Sequence, residues 1–536
     1  MKTLATTTTA TSTALRTKGS ASMFSIMQFF LFSALIYSSL NIGVTMADTV
    51  IINDDNDNDN DNDGGGGGGT FNYDIGIVNN IRYVIDMVWI PNDNDDGNRS
   101  VFIAGREGDI YLFENGIEND DTDANKKLLY NVDPCTESER GLLSIVVHPK
   151  FGMIDTDGDS GGDGDGNDEN YNYLYAYWVH KGRDGNCDLI DDYKNINEDG
   201  PYCQLSRFTL TESNKLQNEK VLLRTGNADK THNGGGMGFG ADGKLYLATG
   251  DTGRKRNLNN PAQHLDNLWG KILRLNDDGT IPNDNPYVDA PNSQQCGTQI
   301  RNPGSSDGDD SSQAVVVCTE IFAQGLRNPF SLVMNPRIAE VSGNTEFYVS
   351  DVGGREWEEI NVGGTGYEKA NYGWPAREGP CKLGKTTSED CDNTVAADNR
   401  FVDPLHFYQH PTNTGVACVG GAFVPSGIWP QEYDNAYLYS DLRAGSIIHM
   451  KLEADNECRG RQCQQQQSKY VAIPIVKEIE GNSVLRLRFG QIISSNDQQQ
   501  QQQISLYHLL YNSGKINRLT YIKKKNNNNN NNSDSD

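Results

Sequence analysis

The feature that most constrains this chain is a recurring pair of short strands. An aromatic or β-branched run leads into a polar turn, and a glycine then leads into a second run. The pattern runs from Val101-Phe102-Ile103-Ala104-Gly105 to Gly108-Asp109-Ile110-Tyr111-Leu112-Phe113. It returns from Tyr348-Val349-Ser350-Asp351 to Glu359-Ile360-Asn361-Val362, and from Tyr437-Leu438-Tyr439-Ser440 to Gly445-Ser446-Ile447-Ile448-His449-Met450. Its last copy joins Leu506-Tyr507-His508-Leu509-Leu510 to Gly514-Lys515-Ile516-Asn517-Arg518-Leu519. Paired strands repeated along a long chain predict an all-β fold built as propeller blades. The irregular spacing leaves a jelly roll or a sandwich array open. In a propeller the loops of every blade gather at one central mouth, so residues distant in sequence can meet there.

Low-complexity tracts frame this block. Asn53 to Asp63 alternates Asp and Asn, and Gly64 to Gly69 is a glycine run, so residues 48–70 read as a linker with no means of forming a core. Asp155 to Asn170 and Gln498 to Gln503 read as solvated insertions, and residues 522–536 as a disordered Asn-rich tail. The predicted propeller therefore spans residues 71–521. A net charge of -27 argues against nucleic acid and anionic lipid as partners. Lys2, Arg16 and Lys18 precede an apolar run from Met23 to Tyr37, and Thr45-Met46-Ala47 offers small residues at the cleavage positions. Residues 1–47 thus read as a signal peptide and predict secretion without membrane insertion, the alternative being an uncleaved signal anchor. Ten cysteines fit an oxidising compartment. Local spacing pairs Cys381 with Cys391 and Cys458 with Cys463, and adds Cys187–Cys203 and Cys296–Cys318 as loop staples. Exclusion leaves Cys135–Cys418, although spacing does not prove connectivity.

Thr231-His232-Asn233-Gly234-Gly235-Gly236-Met237-Gly238-Phe239-Gly240, followed by Lys244-Leu245-Tyr246-Leu247-Ala248-Thr249-Gly250-Asp251, reads as a loop and a hairpin. A histidine beside three glycines can take a proton near neutral pH while a flat ligand lies close to backbone. The same segment also reads as a glycine-rich hairpin whose histidine only caps a turn.

Several segments together resemble the glucose/sorbosone dehydrogenase family, the soluble quinoprotein sugar dehydrogenases, whose relatives include the Hedgehog-interacting-protein-like proteins. They are Glu139-Arg140-Gly141-Leu142-Leu143-Ser144-Ile145 through His148-Pro149, the His232 hairpin, and Leu268-Trp269-Gly270-Lys271-Ile272-Leu273-Arg274-Leu275. Gln324-Gly325-Leu326-Arg327-Asn328-Pro329, Asp351-Val352-Gly353-Gly354 with Trp357-Glu358-Glu359-Ile360-Asn361, and Asn371-Tyr372-Gly373-Trp374-Pro375 complete the set in order. The resemblance implies a six-bladed β-propeller with a pyrroloquinoline quinone (PQQ) site at its mouth.

It further implies a PQQ- and calcium-dependent dehydrogenase that oxidises an aldose or related sugar. His232 would be the general base, with hydride passing to the quinone. Calcium would polarise the quinone carbonyl from the backbone oxygens of Gly353 and Gly354; Gly354 stands where relatives often have proline. Arg327 would stabilise charge on the reduced cofactor beside Asn328, and Arg443 would hold a PQQ carboxylate. Arg486 and Arg488 alternate along one strand, so both face one side and call for an anion between them. Each arginine also has a plain reading: an inter-blade ion pair for Arg327, a hairpin-turn cation for Arg443, a solvated strand face for the other two. Glu139 replaces a glutamine of some relatives, and Thr231 replaces an aspartate that could orient the histidine. The segments of Trp357 and Trp374 read as blade packing. His406 and His410 lie i, i+4 between Pro404 and Pro411, which predicts a structural loop over a zinc site. No haem-attachment CxxCH is present, so an external electron acceptor is expected. The rival function is a non-catalytic extracellular propeller that binds a protein or glycan.

Overall fold

The computed structural model describes residues 51–52, 69–91, 100–114, 116–117, 125–155, 169–189, 199–253, 260–297, 316–386, 391, 400–410, 417–452, 470–477, 483–492 and 503–523. These form a six-bladed β-propeller, the predicted fold. Each blade is an antiparallel sheet of four strands taken in chain order, with one exception at the closure, and short two-stranded ribbons interrupt blades 2, 3 and 4. The innermost strands, in blade order, are Val84–Trp89, Leu142–Val147, Met237–Phe239, Pro329–Met334, Cys418–Phe423 and Val484–Ile492. Consecutive inner strands touch, and the sixth touches the first, so the ring closes. The exception is blade 6, whose outer strand is Gly69–Val78, paired antiparallel with Lys515–Lys523. The first and last blades are thereby fastened by strand pairing, which leaves no open end to the ring. Ile51–Ile52 adds to the edge of blade 5, against Tyr470–Lys477.

Strand direction decides where function can sit. In each blade the inner strand leaves one face of the ring, the second strand returns to it and the third leaves again. The loops that lead into inner strands and the loops between second and third strands therefore share one face. The first kind carry Glu139, His232 and Arg327. The second kind carry Asp251, Gly353 and Arg443.

Among the described residues three disulfides brace the loops: Cys135–Cys187, Cys296–Cys318 and Cys381–Cys391. The last two were expected. The expected Cys187–Cys203 and Cys135–Cys418 pairs do not form; Cys203 and Cys418 are buried free thiols. Cys203 sits inside the strand Tyr202–Leu210, opposite Val179. Cys135 and Cys187 lie on two loops of the shared face, which neighbour one another in space but not in sequence. Cys458 and Cys463 lie outside the described residues.

Burial makes both free thiols inert, and Cys203 is pushed up to about 12 by burial. Alkylation of the native protein followed by peptide mapping should leave Cys203 and Cys418 unlabelled, with both labelled after denaturation. A Cys135–Cys187 linked peptide should be recovered, and recovery of Cys187–Cys203 instead would contradict this loop arrangement.

Candidate functional site

His232 stands between the outer strand of blade 2 and the inner strand of blade 3, with a left-handed φ of 55°. Two bonds hold that uncommon backbone: its N–H donates to Glu139 Oε2 at 2.8 Å, and its carbonyl accepts from Thr252 N at 3.1 Å. Gly250 is required beside it, because a Cβ there would strike the His232 carbonyl. The ring is mostly buried, its side chain 15% exposed.

Both ring nitrogens are engaged. Nδ1 lies 2.6 Å from Asp251 Oδ1, and Nε2 lies 2.9 Å from Arg327 Nη2. Asp251 is fully buried. Its burial disfavours charge, but the hydrogen bonds from His232 and Asn260 and the nearby Arg327 cation hold the carboxyl below its ordinary range. It is therefore an ionised acceptor, and Nδ1 must carry the donated proton. A guanidinium can only donate, so Nε2 presents its lone pair to Arg327. Asp251 is the orienting acid that the sequence reading looked for at position 231. It arrives on a different loop, and Gly253 N, Asn260 Nδ2 and Trp374 Nε1 fix its oxygens at 2.9, 2.8 and 2.7 Å.

Arg327 Nη1 donates to the carbonyls of Val352 and Gly353 at 2.7 and 2.6 Å, and its guanidinium lies 5.5 Å from the Trp374 ring centroid. Its Nε is buried with no partner among the described residues. Asp351 sets this segment from below, accepting from the N–H of Arg327 at 2.9 Å and of Asn328 at 2.6 Å. Asn328 closes the circle: Oδ1 accepts from Gly234 N at 3.3 Å, and Nδ2 donates to Glu139 Oε2 at 3.4 Å. Glu139 thus ties three loops through one oxygen. Arg140 takes no part in balancing it, because its buried guanidinium bonds the carbonyls of Asp229, Cys187 and Ala228.

The structure therefore brings His232, Arg327, Asn328, Glu139 and the Gly353 carbonyl together. Gly354 contributes its N–H, at 2.7 Å, to Glu378 Oε1, which also accepts from the N–H groups of Arg355, Glu356 and Trp357. Arg443 is exposed on the same face, in the turn between the second and third strands of blade 5. Arg486 and Arg488 lie elsewhere. They share a strand side and an anion, as alternation requires, but the anion belongs to the protein. Arg488 Nη2 lies 2.6 Å from the buried Asp86 Oδ1, and Arg486 bonds the carbonyls of Phe330 and Leu143 at 2.8 and 3.3 Å. Burial pulls Arg486 down to about 10, against the attraction of Asp86. These two arginines tie the inner strand of blade 6 to those of blades 1, 2 and 4. His406 lies in a strand of blade 4 and is pulled down to about 4 by burial, and His410 bonds Glu358 at 2.6 Å.

A sequence profile for the family described as Glucose / Sorbosone dehydrogenase matches residues 85–303 and 297–471. The aldose sugar dehydrogenase YliI of Escherichia coli is 27% identical over 51% of this chain and 59% of its own length. Quinoprotein glucose dehydrogenase B of Acinetobacter calcoaceticus is 30% identical over 46% of this chain and 48% of its own length. The HIPL2 protein of Arabidopsis thaliana is 28% identical over 44% of this chain and 31% of its own length. The chain thus spans less than two thirds of the length of these curated relatives. Among solved structures, apo aldose sugar dehydrogenase from Escherichia coli superposes with a TM-score of 0.55 at 19% identity, covering 85% of this chain and 100% of its own. The PQQ-bound aldose sugar dehydrogenase from Streptomyces coelicolor gives 0.51 at 18% identity, covering 85% and 99%. Both likenesses concern the fold.

Beneath Arg327, Asp351 pairs across the strands with Glu359. Burial raises both carboxyls; Glu359 also resists charge on Asp351, and Glu378 resists charge on Glu359, which is pushed up to about 7. A carboxyl raised on folding keeps its proton longer in the folded state, so stability falls as pH rises from about 4.5 to about 7. Urea denaturation at pH 5 and pH 7.5 should show Glu359 withdrawing on the order of 2–3 kcal/mol at the higher pH. E359Q should flatten that slope, and a slope equal to the parent's would contradict the assignment.

Proposed function

This chain belongs to the glucose/sorbosone dehydrogenase family, and from that membership we propose that it is a PQQ-dependent dehydrogenase oxidising an aldose or related sugar. The observation that carries this reading is the chain Asp251–His232–Arg327, a neutral imidazole whose Nε2 lone pair faces the mouth residues. PQQ, when bound, supplies a quinone that accepts hydride from the sugar carbon. The donor set suits such an oxygen-rich anion: Arg327 has an unpartnered buried Nε, and Arg443 stands on the same face. Arg486 and Arg488 hold inner-strand carbonyls and Asp86 away from these loops, and the cofactor would rest on Arg327, Asn328 and Arg443.

His232 Nε2 would take the sugar hydroxyl proton, and the ionised Asp251 stabilises the imidazolium that results. Arg327 covers that lone pair, so its Nη2 must swing off Nε2 as substrate enters. Glu139 keeps the His232 backbone in place through that exchange. Calcium is harder to seat. The Gly353 oxygen assigned to it already accepts from Arg327, a like charge. No step here uses the ion.

We place the protein outside the cytoplasm and leave reoxidation to an external acceptor. Three disulfides support the location; the leader residues 1–47 lie outside the described residues. Among the described residues no helix is long and apolar enough to cross a membrane. The non-catalytic alternative has no use for an imidazole held between a buried acid and a guanidinium.

Dye reduction with a panel of aldoses, after adding PQQ with and without calcium, tests the reading. H232A should lower kcat by about a thousandfold, and R443A should weaken PQQ binding in calorimetry by about tenfold. Absence of both PQQ binding and sugar-dependent reduction in the parent would refute the proposal.

A further inference from the structure

Trp374 does not belong to the blade order that delivers the rest of the site. It lies on the long excursion between the third strand of blade 4, Trp357–Gly364, and the fourth, His406–Gln409. Such an excursion starts on the face opposite His232. It doubles back along the outer strand of blade 3, Ile321–Gln324, as a strap. Lys369 N donates to Phe322 O at 2.8 Å, Gln324 N to Ala370 O at 2.9 Å, Tyr372 N to Gln324 O at 2.9 Å and Trp374 N to Gly325 O at 3.0 Å. Gln263, from the loop that carries Asp251, locks the strap's end. Its Nε2 donates to Asn371 Oδ1 at 2.9 Å and to the Trp374 carbonyl at 2.6 Å, and its Oε1 accepts from Asn371 Nδ2 at 2.8 Å. Gly325 has a φ of 85°, and a Cβ there would strike Asn371 Oδ1, so the close approach is built in.

The strap ends in two contacts with the candidate site. The Trp374 indole N–H donates to Asp251 Oδ2 at 2.7 Å, on a carboxylate whose other oxygen holds His232. Four residues on, Glu378 gathers the N–H groups that follow the Gly353 carbonyl. We infer that Trp374 is a positioning residue for the base. It fixes the Asp251 carboxylate so that Oδ1 stays on Nδ1–H, while its ring flanks the Arg327 guanidinium. A packing tryptophan would need neither the N–H bond to a fully buried acid nor a side-chain lock on its carbonyl. The inference rests on the reading of His232 as base for its kinetic consequence, but its structural part stands apart from that reading.

W374F keeps a ring beside Arg327 and removes the donor. In protein labelled with 15N-histidine, the His232 Nδ1–H proton should exchange with water at least several-fold faster in W374F, at temperatures where both proteins are folded. If the parent oxidises sugar, kcat should fall by about tenfold or more with KM within about twofold. A merely structural tryptophan would lower the melting temperature and leave that exchange rate unchanged, and an unchanged rate overturns the inference. Should W374F fail to fold, Q263A removes the lock from outside the dyad and must raise the same exchange rate; no change there overturns it equally. Faster exchange in a parent-inactive protein would keep the positioning role and sink the dehydrogenase reading instead.

Discussion

An imidazole with an ionised carboxylate on one nitrogen and a guanidinium on the other has one neutral proton arrangement. The carboxylate can only accept and the guanidinium can only donate. His232 is in that position, so its Nδ1 carries the proton and its Nε2 is the basic atom. Much of the surrounding design serves this chain of three groups. Asn260, Trp374 and Gly253 hold Asp251, Glu139 holds the His232 backbone, and Asp351 holds the backbone of Arg327. A buried carboxylate without these donors would be strongly disfavoured.

Propeller topology is what allows those groups to meet. Glu139, His232, Asp251, Arg327 and Asp351 come from the ends of three successive blades, and each sits where a strand enters or leaves one face. The closed ring of inner strands fixes those ends with respect to one another. The opposite tactic appears among the inner strands, where Arg486 and Arg488 meet Asp86 and main-chain carbonyls. Arg486 and Arg488 thus serve the fold, because the protein itself supplies their carbonyl and carboxylate partners.

The blade repeats were legible because paired strands with turn residues between them have a local signature. The meeting of His232 with Arg327 and Asn328 was legible through family resemblance, since those motifs occur in order. The orienting acid was not, because Asp251 lies 19 residues from His232 and approaches it across a hairpin. Period-two alternation correctly put Arg486 and Arg488 on one side, but their partner lies 402 residues away from Arg488. Cys135 and Cys187 were mispaired for the same reason: nearness on a propeller face follows blade order, while nearness in sequence follows the loop. Trp374 was read as packing, since nothing in Asn371-Tyr372-Gly373-Trp374 announces that the excursion turns back.

The comparison with known proteins and the site geometry bear on different questions. The family match sets what kind of chemistry to look for, and the hydrogen-bond directions say which atom could perform it. Calcium is where the two part, because Arg327 already holds the Gly353 oxygen that the resemblance assigns to the ion. The most direct test of the central claim is the pair of ring 15N chemical shifts of His232 at neutral pH. The account predicts a pyrrole-type Nδ1 bearing hydrogen and a pyridine-type Nε2 with its lone pair free of a proton. A pyrrole-type Nε2 in a neutral ring would reverse the donor and acceptor roles assigned to Asp251 and Arg327, and the base assignment would fail with them.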